Sequence, residues 1–368
     1  MPAGADTNSA RVFYDFAIAN LRKDPEKAAD ALYWSTRLEP TWADAYYARR
    51  IALLLSNRRR LRAYWFGDRR TIESKDIRQI DSLFYRALTI NPFVSQTLDR
   101  QLYEAIADDI ADEYERQGAG NTAEIRFYID REMQRAPTAT KAWLAYGDGR
   151  FEDAATLYAA AIKEDKRNEP LRVERARVLY QMNRLDSALA ELKLATEDLR
   201  KRDKKDLVFV YQSKALAEHS IAIVNERLGN SDAAREAFGR ALQEDLSYAP
   251  AHMQLAYMAL EAKDTTGALT EMELAAQLSP NDAAIHFIYG FALIASNKFA
   301  PAEAEFRKAV AANADYAGPH FFLGRILEMG GKRPEALAEF RAYVARAAKT
   351  DPRHAEAEEY IAMLDHKD

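Results

Sequence analysis

Four histidines recur at equal spacing in the second half of the chain. They are His252, His286, His320 and His354, and His219 precedes the first of them by nearly the same interval. Histidine is a common metal ligand and proton carrier near neutral pH. A shared zinc ion would need the ring nitrogens of these side chains about 2 Å from one point. Whether they can meet depends on the elements that carry them, which repeat with the same interval.

Other chemical motifs are missing from the sequence. It contains no GxGxxG after a strand, no GxxxxGK[ST], no HExxH and no GxSxG. It has no cysteine, which excludes disulfides, thiolate metal sites and cysteine nucleophiles. Many carboxylates are present, but none pairs distinctively with a candidate acid or base. We therefore expect a protein that is not an enzyme and that needs no cofactor.

Composition limits the classes of partner. The 368 residues are 48% hydrophobic and 30% charged, with a net charge of −5. This acidic balance argues against bulk electrostatic binding to nucleic acid or to anionic membranes. No window approaches the run of about 18 uninterrupted apolar residues that a transmembrane helix needs, so we expect no membrane span. The start, MPAGADTNSA, has no signal-peptide pattern. We expect a cytoplasmic protein, or an exported one if a signal peptide is missing from this sequence.

Six segments share one helical pattern. Each has a turn residue or lysine, an alanine five places on, and a bulky residue four places after that. The alanines are Ala154, Ala188, Ala234, Ala268, Ala302 and Ala336, equally spaced except for a longer gap between Ala188 and Ala234. Twelve places before each lies a small residue: Ala142, Ala176, Ala222, Ala256, Gly290 and Gly324. Small residues in this arrangement let two antiparallel helices approach closely, and such a hairpin must stack on others to bury its apolar face.

This pattern resembles the tetratricopeptide repeat, a helix–turn–helix unit of about 34 residues, in the form found in bacterial scaffold proteins. The resemblance implies an all-α fold, a right-handed α-solenoid of about nine hairpins with a C-terminal capping helix. We expect irregular hairpins in residues 1–134, with an arginine and aromatic insertion near 57–75. A regular array should occupy 135–350, and residues 351–368 should form the polar capping helix that such a solenoid needs.

The repeat geometry argues against a shared metal site. Equivalent positions of stacked hairpins lie roughly 8–10 Å apart or more, as packed helices do. The four equally spaced histidines fall at the fourth position of a first helix, where this family usually carries a packing residue. We therefore predict structural histidines and no metal.

In this family, ligands bind one face of the first helices. Positions 5, 9 and 12 share that face by the i, i+4, i+7 rule, and here it is largely apolar and aromatic. The groove residues, as we call them, are Trp143, Tyr146, Tyr180, Ile223, Met253, Tyr257, Phe287, Phe291, Ile294, Phe321 and Arg325. The lysine and asparagine by which some family members clamp acidic C-termini are absent. The groove residues would bind an amphipathic helix or an extended apolar peptide; alternatively, they contact one another or the chain's own N-terminal segment.

The stretch RRRLRAYWFGDRR at 58–70 could form a basic rim. Its arginines are Arg58, Arg59, Arg60, Arg62, Arg69 and Arg70. We expect the first four to continue the helix that ends in IALLLSN. Of the three adjacent aromatic residues, we expect Trp65 to anchor the insertion to neighbouring hairpins. We expect Arg69 and Arg70 to pair with acidic groups nearby.

Two functions follow from the sequence. The first is a non-enzymatic scaffold that binds a protein partner, as a peptide or helix, through the groove residues. The alternative is binding of a polyanion or nucleic acid through the insertion 58–70, since residues 1–100 carry a net charge of +5 and the remainder −10. We favour the scaffold and expect no nucleic-acid ligand. The sequence does not predict the oligomeric state.

Overall fold

The structure is a computed structural model that describes residues 4–68, 70, 72–164, 169–201 and 213–365. Its secondary structure in these ranges is helical. Twenty helices follow in chain order: α1 (Ala10–Asn20), α2 (Pro25–Leu38), α3 (Ala43–Leu55), α4 (Arg58–Trp65), α5 (Ser74–Ile90), α6 (Asp99–Arg116), α7 (Thr122–Met133), α8 (Thr138–Gly147), α9 (Phe151–Glu164), α10 (Glu169–Gln181), α11 (Leu185–Lys201), α12 (Lys214–Arg227), α13 (Ser231–Glu244), α14 (Ala249–Glu261), α15 (Thr265–Leu278), α16 (Ala283–Ala295), α17 (Phe299–Ala312), α18 (Ala317–Met329), α19 (Arg333–Arg346) and α20 (Arg353–Asp365).

In the described residues, these helices form nine hairpins and one final helix. Hairpin 1 is α1/α2, hairpin 2 is α3/α5 with α4 inserted, and hairpin 3 is α6/α7. Hairpins 4 to 9 run in order from α8/α9 to α18/α19, and α20 follows. The predicted all-α solenoid fold class, with about nine hairpins and a capping helix, is confirmed.

The turns inside hairpins 4 to 9 explain the recurring turn residue. Each contains one residue in the left-handed conformation, with φ between 56° and 79°: Gly149, Asn183, Gly229, Lys263, Asn297 and Gly331. The next N–H donates to the carbonyl five residues before it, as Lys332 does to Leu327 at 2.9 Å. This bond satisfies a carbonyl that the helix end would leave unpaired. Glycine and asparagine adopt this conformation at low cost, which is why they dominate the turn.

Small residues hold the two helices of each hairpin close together. The six repeat alanines from Ala154 to Ala336 are fully excluded from solvent. A Cβ on Gly324 would lie 2.9 Å from the ring of Phe340, so a larger residue would force the helices apart. The ring of Phe306 covers Gly290 of its own hairpin in the same way, and its centroid lies 5.8 Å from that of Phe322 on the next hairpin. The bulky position therefore packs both within and between hairpins.

The chain divides into two compact units. Unit 1 comprises Met1–Ile18, Asp30–Trp42 and Asp245–Asp368; unit 2 comprises Ala19–Ala29 and Ala43–Glu244. Contacts between residues define these units, and the units do not separate the irregular hairpins from the regular ones. The domain boundaries at 134 and 350 remain a prediction.

Unit 2 contains α3 to α13. Its core is built from buried side chains on successive hairpins, including Tyr47, Ile51, Ile80, Tyr158 and Phe238. Helix α7 buries no residue completely and packs on α6. The insertion between α3 and α5 carries its own short helix, α4.

Helix α4 corrects one sequence expectation. The arginines do not continue α3, which ends at Leu55. Asn57 instead caps a new helix, α4, which begins at Arg58. The Asn57 side chain accepts hydrogen bonds from the backbone N–H groups of Arg59 and Arg60 at 3.0 and 3.1 Å, which is the bonding of an N-cap. The arginines therefore begin a helix, where the macrodipole disfavours cations.

Unit 1 contains α14 to α20 together with the first residues of the chain. The Asn8 side chain donates to the carbonyl of Ala345 at 3.0 Å, and Asn313 donates to that of Arg37 at 2.7 Å. Arg37 also forms an ion pair with Asp315 at 2.8 Å. These contacts attach Asn8 to the last turn of α19 and Arg37, in α2, to the turn that follows α17.

Helix α20 closes the last hairpin. The ring of Tyr360 stacks on that of Phe340, with centroids 4.7 Å apart and planes at 4°. Ala357 and Leu364 are buried, whereas Glu358 is exposed. An apolar inner face and a charged outer face are what a capping helix requires.

Candidate functional site

In unit 2, two of the predicted groove residues are covered by the segment between α5 and α6. The ring of Tyr180 stacks on that of Phe93, with centroids 3.9 Å apart and planes at 9°. The amide of Gln181 donates to the carbonyl of Phe93 at 2.7 Å. The hydroxyl of Tyr146 accepts from the backbone N–H of Gln96 at 3.2 Å. This side chain is buried, which raises the pKa of Tyr146.

Trp143 belongs to a polar network around Asp99. The indole N–H donates to the Asp99 carboxylate at 3.4 Å, and the hydroxyl of Tyr47 donates to the same carboxylate. Arg50 lies 3.9 Å from it. Burial raises the pKa of Asp99, and burial together with Asp99 raises the pKa of Tyr47 well above its usual value. The ring of Trp65 packs edge to face against that of Trp143, with centroids 5.8 Å apart.

Ile223, the fourth groove residue in unit 2, is half-buried on α12. The chain's own residues therefore occupy the ligand face of hairpins 4 and 5 at Trp143, Tyr146 and Tyr180.

The groove residues of unit 1 divide into two groups. Phe321 is buried against Phe340 and Tyr343. Arg325 forms an ion pair with Glu356 at 2.9 Å and stacks over Tyr360 at 4.9 Å. These two side chains are held by the packing of hairpin 9 and α20.

The other five groove residues of unit 1 keep part of their surface in solvent. They are Met253 and Tyr257 on α14, and Phe287, Phe291 and Ile294 on α16. Tyr257 is the most open, at 39% exposed. Phe287 and Phe291 contact each other edge to face at 4.8 Å, and Phe291 contacts Phe322 at 4.3 Å. The result is a partly exposed apolar surface on two neighbouring first helices, which we call the α14/α16 face.

Each histidine of hairpins 7 to 9 at the fourth position of a first helix bonds a glutamate of its own hairpin. Nδ1 of His252 lies 2.6 Å from Glu271, and Nδ1 of His286 lies 2.7 Å from Glu305. His320 bonds Glu339 at 2.6 Å. The sequence contained this signal, because the three glutamates recur with the same spacing as the histidines. Each pair links the two helices of one hairpin, and that accounts for the recurrence.

The contact between His286 and Glu305 shifts the pKa values of both side chains. The hydrogen bond to Glu305 raises the pKa of His286 despite burial. Burial opposes ionisation of Glu305, but its bonds to His286 and Lys308 outweigh this and lower the pKa of Glu305. In the described part of the chain, no three His, Asp or Glu side chains cluster so as to hold a metal ion.

Carboxylates on α5 and α6 pair with three of the six arginines at the basic rim. Arg58 and Arg62 both contact Asp109, and Arg60 pairs with Asp76 at 2.8 Å. Arg59 is exposed, and Arg70 lies 3.3 Å from Asp68. Arg69 lies outside the described residues. These pairs offset the unfavourable position of cations at the start of α4.

The three adjacent aromatic residues of the insertion differ in their contacts and in their exposure to solvent. Trp65 packs near Tyr103, with centroids 6.2 Å apart, as well as near Trp143. The hydroxyl of Tyr64 donates to Asp81 at 3.0 Å. Phe66 is 61% exposed. Two of the three side chains thus fold back onto unit 2.

Two family models match the chain. Both are described as tetratricopeptide repeats; one matches residues 145–205, and the other matches 221–283 and 292–352. Together they cover half of the chain. The chain belongs to the tetratricopeptide-repeat family. It is a protein–protein interaction scaffold, as proteins of this family are.

Solved tetratricopeptide-repeat structures are similar to the chain at low identity. YrrB, described as a protein "with an unusual peptide-binding site", is 21% identical over 56% of this chain and 98% of its own, with a TM-score of 0.42. The C-terminal part of a repeat protein from Cytophaga hutchinsonii is 12% identical over 62% and 95%, with a TM-score of 0.47. PilF from Pseudomonas aeruginosa is 16% identical over 54% and 90%, with a TM-score of 0.42. No curated protein matches the chain.

Proposed function

We propose that this tetratricopeptide-repeat protein is a non-enzymatic scaffold that binds an amphipathic helix or extended apolar peptide of a protein partner at the α14/α16 face. The observation that carries the proposal is the partial exposure of five apolar side chains on one side of two adjacent helices. Exposed apolar surface of this kind is typical of a protein interaction site.

The chemistry of the α14/α16 face suits an apolar helix. Tyr257 supplies a rigid aromatic ring with a polar tip, and such rings are common anchors at interfaces. Met253 lies one helical turn before it and is flexible enough to adapt to differently shaped side chains. Phe287 and Phe291, also one turn apart, extend the apolar surface on α16. A partner helix would present apolar residues at i, i+3 or i+4 and i+7 to this surface.

The described residues do not favour the alternative function, polyanion binding through 58–70. Arg58, Arg60 and Arg62 are already paired with carboxylates, which reduces their attraction for phosphate. In the described part of the chain, no helix is both long and apolar enough to cross a membrane. The cellular compartment remains a prediction.

A displayed library of amphipathic helical peptides tests the proposal. Peptides enriched on the full chain should bind Tyr257→Ala at least tenfold more weakly, because removing an aromatic hot-spot residue costs about 2 kcal/mol or more of binding free energy. The matched control is Tyr180→Ala, which removes a groove residue already stacked on Phe93. Peptides that bind Tyr257→Ala as tightly as the unmodified chain, but lose affinity for Tyr180→Ala, would place the site elsewhere.

A further inference from the structure

A cleft in unit 2 lies between hairpins 3 and 4, apart from the α14/α16 face. It has a volume of about 500 Å³ and is lined by residues of α6, α7, α8 and α9. Met133, Leu144 and Leu157 line it, and each is apolar and partly exposed. We call it the hairpin 3/4 cleft. Because an apolar cavity of about 150 Å³ holds one benzene ring, this cleft has room for about three side chains of that size.

Helix α7 does not stack as the other second helices of unit 2 do. Helix α9 packs on α10 and α11 packs on α12, so each contacts the first helix of the next hairpin. Among the described helices of unit 2, α7 packs on α6 and makes no comparable contact with α8. Its side chains Phe127 and Tyr128 are 65% and 54% exposed. The surface of α8 that a preceding second helix would cover is therefore partly open.

Leu144 is one of the side chains that this arrangement uncovers. It lies ten places before Ala154, the first of the repeat alanines. The residues ten places before the other five repeat alanines are all buried: Val178, Val224, Met258, Ala292 and Ile326. Leu144 instead keeps part of its surface exposed and lines the cleft. An apolar side chain at a packing position of the repeat is thus left without full cover.

The sequence of α9 differs from the other second helices at the same place. Three places after the repeat alanine, hairpins 5 to 9 carry glutamate or alanine: Glu191, Ala237, Glu271, Glu305 and Glu339. The glutamates bond arginine or histidine of the first helix in their own hairpins. Hairpin 4 carries Leu157 at this position, and Leu157 lines the cleft. Leu144 and Leu157 therefore both offer apolar surface to an incoming group.

The two carboxylates that line the cleft are already paired. Asp148 lies 3.0 Å from Arg100 and 3.1 Å from Arg150. Asp130 lies 3.4 Å from Arg126. A cationic group that entered the cleft would have to compete with these arginines for the carboxylates.

Lys141 is the cation of the cleft that is open to a new partner. It lies one turn before Leu144 on α8, lines the cleft and is partly exposed. In the part of the chain that the structure describes, its ammonium forms no ion pair. A carboxylate on an incoming group would therefore pair with Lys141 without displacing an existing partner. The cleft suits an apolar group with a negative charge beside it.

We propose that the hairpin 3/4 cleft binds an amphipathic helix of a protein partner. This helix inserts apolar side chains at i, i+4 and i+7 against Met133, Leu144 and Leu157, where a second helix packs in the regular hairpins. An aspartate or glutamate of the helix, one turn from these side chains, pairs with Lys141. The inference is independent of the proposed function, because the cleft and the α14/α16 face share no residue.

A displayed library of amphipathic helical peptides, selected on the full chain carrying Tyr257→Ala, supplies the probe while weakening the α14/α16 face. Enriched peptides should carry an acidic residue one turn from their apolar stripe. They should bind Leu144→Ala about tenfold more weakly, because an apolar anchor is lost. The matched control is Leu194→Ala on α11, where the leucine is 44% exposed, and it should leave the affinity unchanged. Enriched peptides that bind Leu144→Ala as tightly as the parent chain overturn the proposal.

A charge exchange tests Lys141 without changing the apolar surface. Lys141→Glu should weaken an enriched peptide at least tenfold, because two carboxylates then face each other. Replacing the acidic residue of the peptide by lysine should restore the affinity. Lys163→Glu reverses an exposed lysine on α9 that does not line the cleft, and it should have little effect on either peptide. No restoration on Lys141→Glu, or an equal response of Lys163→Glu, contradicts the pairing.

Hydroxyl-radical footprinting locates the bound peptide. Met133 is partly exposed, so it should be modified in the free chain and protected by the peptide, while Met253 on α14 stays unchanged. Protection of Met253 with Met133 still reactive would place the peptide at the α14/α16 face and refute the proposal. Sedimentation of the free chain tests a different occupant. If the chain self-associates and Leu144→Ala abolishes this association, a second copy fills the cleft and the proposed partner helix is wrong.

Discussion

The ligand face of the first helices is covered by the chain itself in unit 2 and partly exposed to solvent in unit 1. In unit 2, Tyr146 and Tyr180 contact the segment between α5 and α6. In unit 1, Tyr257 keeps 39% of its surface exposed. The repeat is the same in both units. A position within the repeat therefore defines a face, and the remaining chain decides whether that face is available to a partner.

The surroundings of the buried histidines also differ between the two units. In unit 1, His252, His286 and His320 bond glutamates on the second helix of their own hairpins. In unit 2, His219 is fully buried, and its ring lies 5.5 Å from that of Phe238. The hydrogen bond to Glu305 raises the pKa of His286, whereas burial lowers the pKa of His219. These two histidines should therefore change the stability of the chain in opposite directions as the pH changes.

The largest expected effect concerns His219. Burial lowers the pKa of His219 to about 4, so the unfolded chain, with a pKa near 6.5, takes up the proton first as the pH falls. The contribution of His219 to stability is present above pH 6.5 and is lost as the pH falls towards 4. The full difference is on the order of 3 kcal/mol. Urea unfolding at pH 7 and pH 4.5 should show a smaller loss for His219→Leu than for the unmodified chain.

His286→Gln is the control for this experiment, because the contribution of His286 to stability changes with pH in the opposite direction. The raised pKa of His286 contributes stability that is present below pH 6.5 and is lost as the pH rises through the folded-state pKa. This variant should flatten the alkaline side of the profile. Identical acid profiles for His219→Leu and the unmodified chain would show that burial does not depress the pKa of His219.

The next effect concerns the cover over Trp143. Trp65→Ala should lower the free energy of unfolding by about 2 kcal/mol, less than for a fully buried tryptophan, because the ring is only partly enclosed. Phe66→Ala changes the neighbouring aromatic residue, which is 61% exposed, and should cost less than about 0.5 kcal/mol. Denaturant midpoints measure both variants. Equal costs would mean that Trp65 does not anchor the insertion.

The smallest effect is the coupling between Phe93 and Tyr180. A double-mutant cycle with alanine at each position should give an interaction free energy of about 1 kcal/mol, as expected for stacked aromatic rings. Tyr257→Ala, at the exposed position of unit 1, should cost less than Tyr180→Ala in the same unfolding experiment. A coupling near zero would indicate that the segment between α5 and α6 does not cover Tyr180 in solution.

The fold could be predicted from the sequence because its signal is local and periodic. The small residues from Ala154 to Ala336 and their upstream partners specify helix pairs without knowledge of distant contacts. Helix α4 was missed, although Asn57 is a common N-cap residue. The paired glutamates could also have been found, since Glu271, Glu305 and Glu339 recur with the histidines.

The state of the groove residues could not be predicted in this way. Phe93 and Tyr180 are far apart in the sequence, and no periodic pattern connects them. Repeat position places Tyr180 and Tyr257 on equivalent faces, yet only contacts made by residues outside their own hairpins distinguish the two side chains.

Hydroxyl-radical footprinting of the full chain, with and without a peptide enriched from the helical library, tests the difference between the units most directly. In the free chain, Met253 and Tyr257 should be modified faster than Tyr146. Bound peptide should protect Met253 and Tyr257 and leave Tyr180 unchanged. Protection of Tyr180 by the peptide, with Tyr257 still fully reactive, would contradict the account.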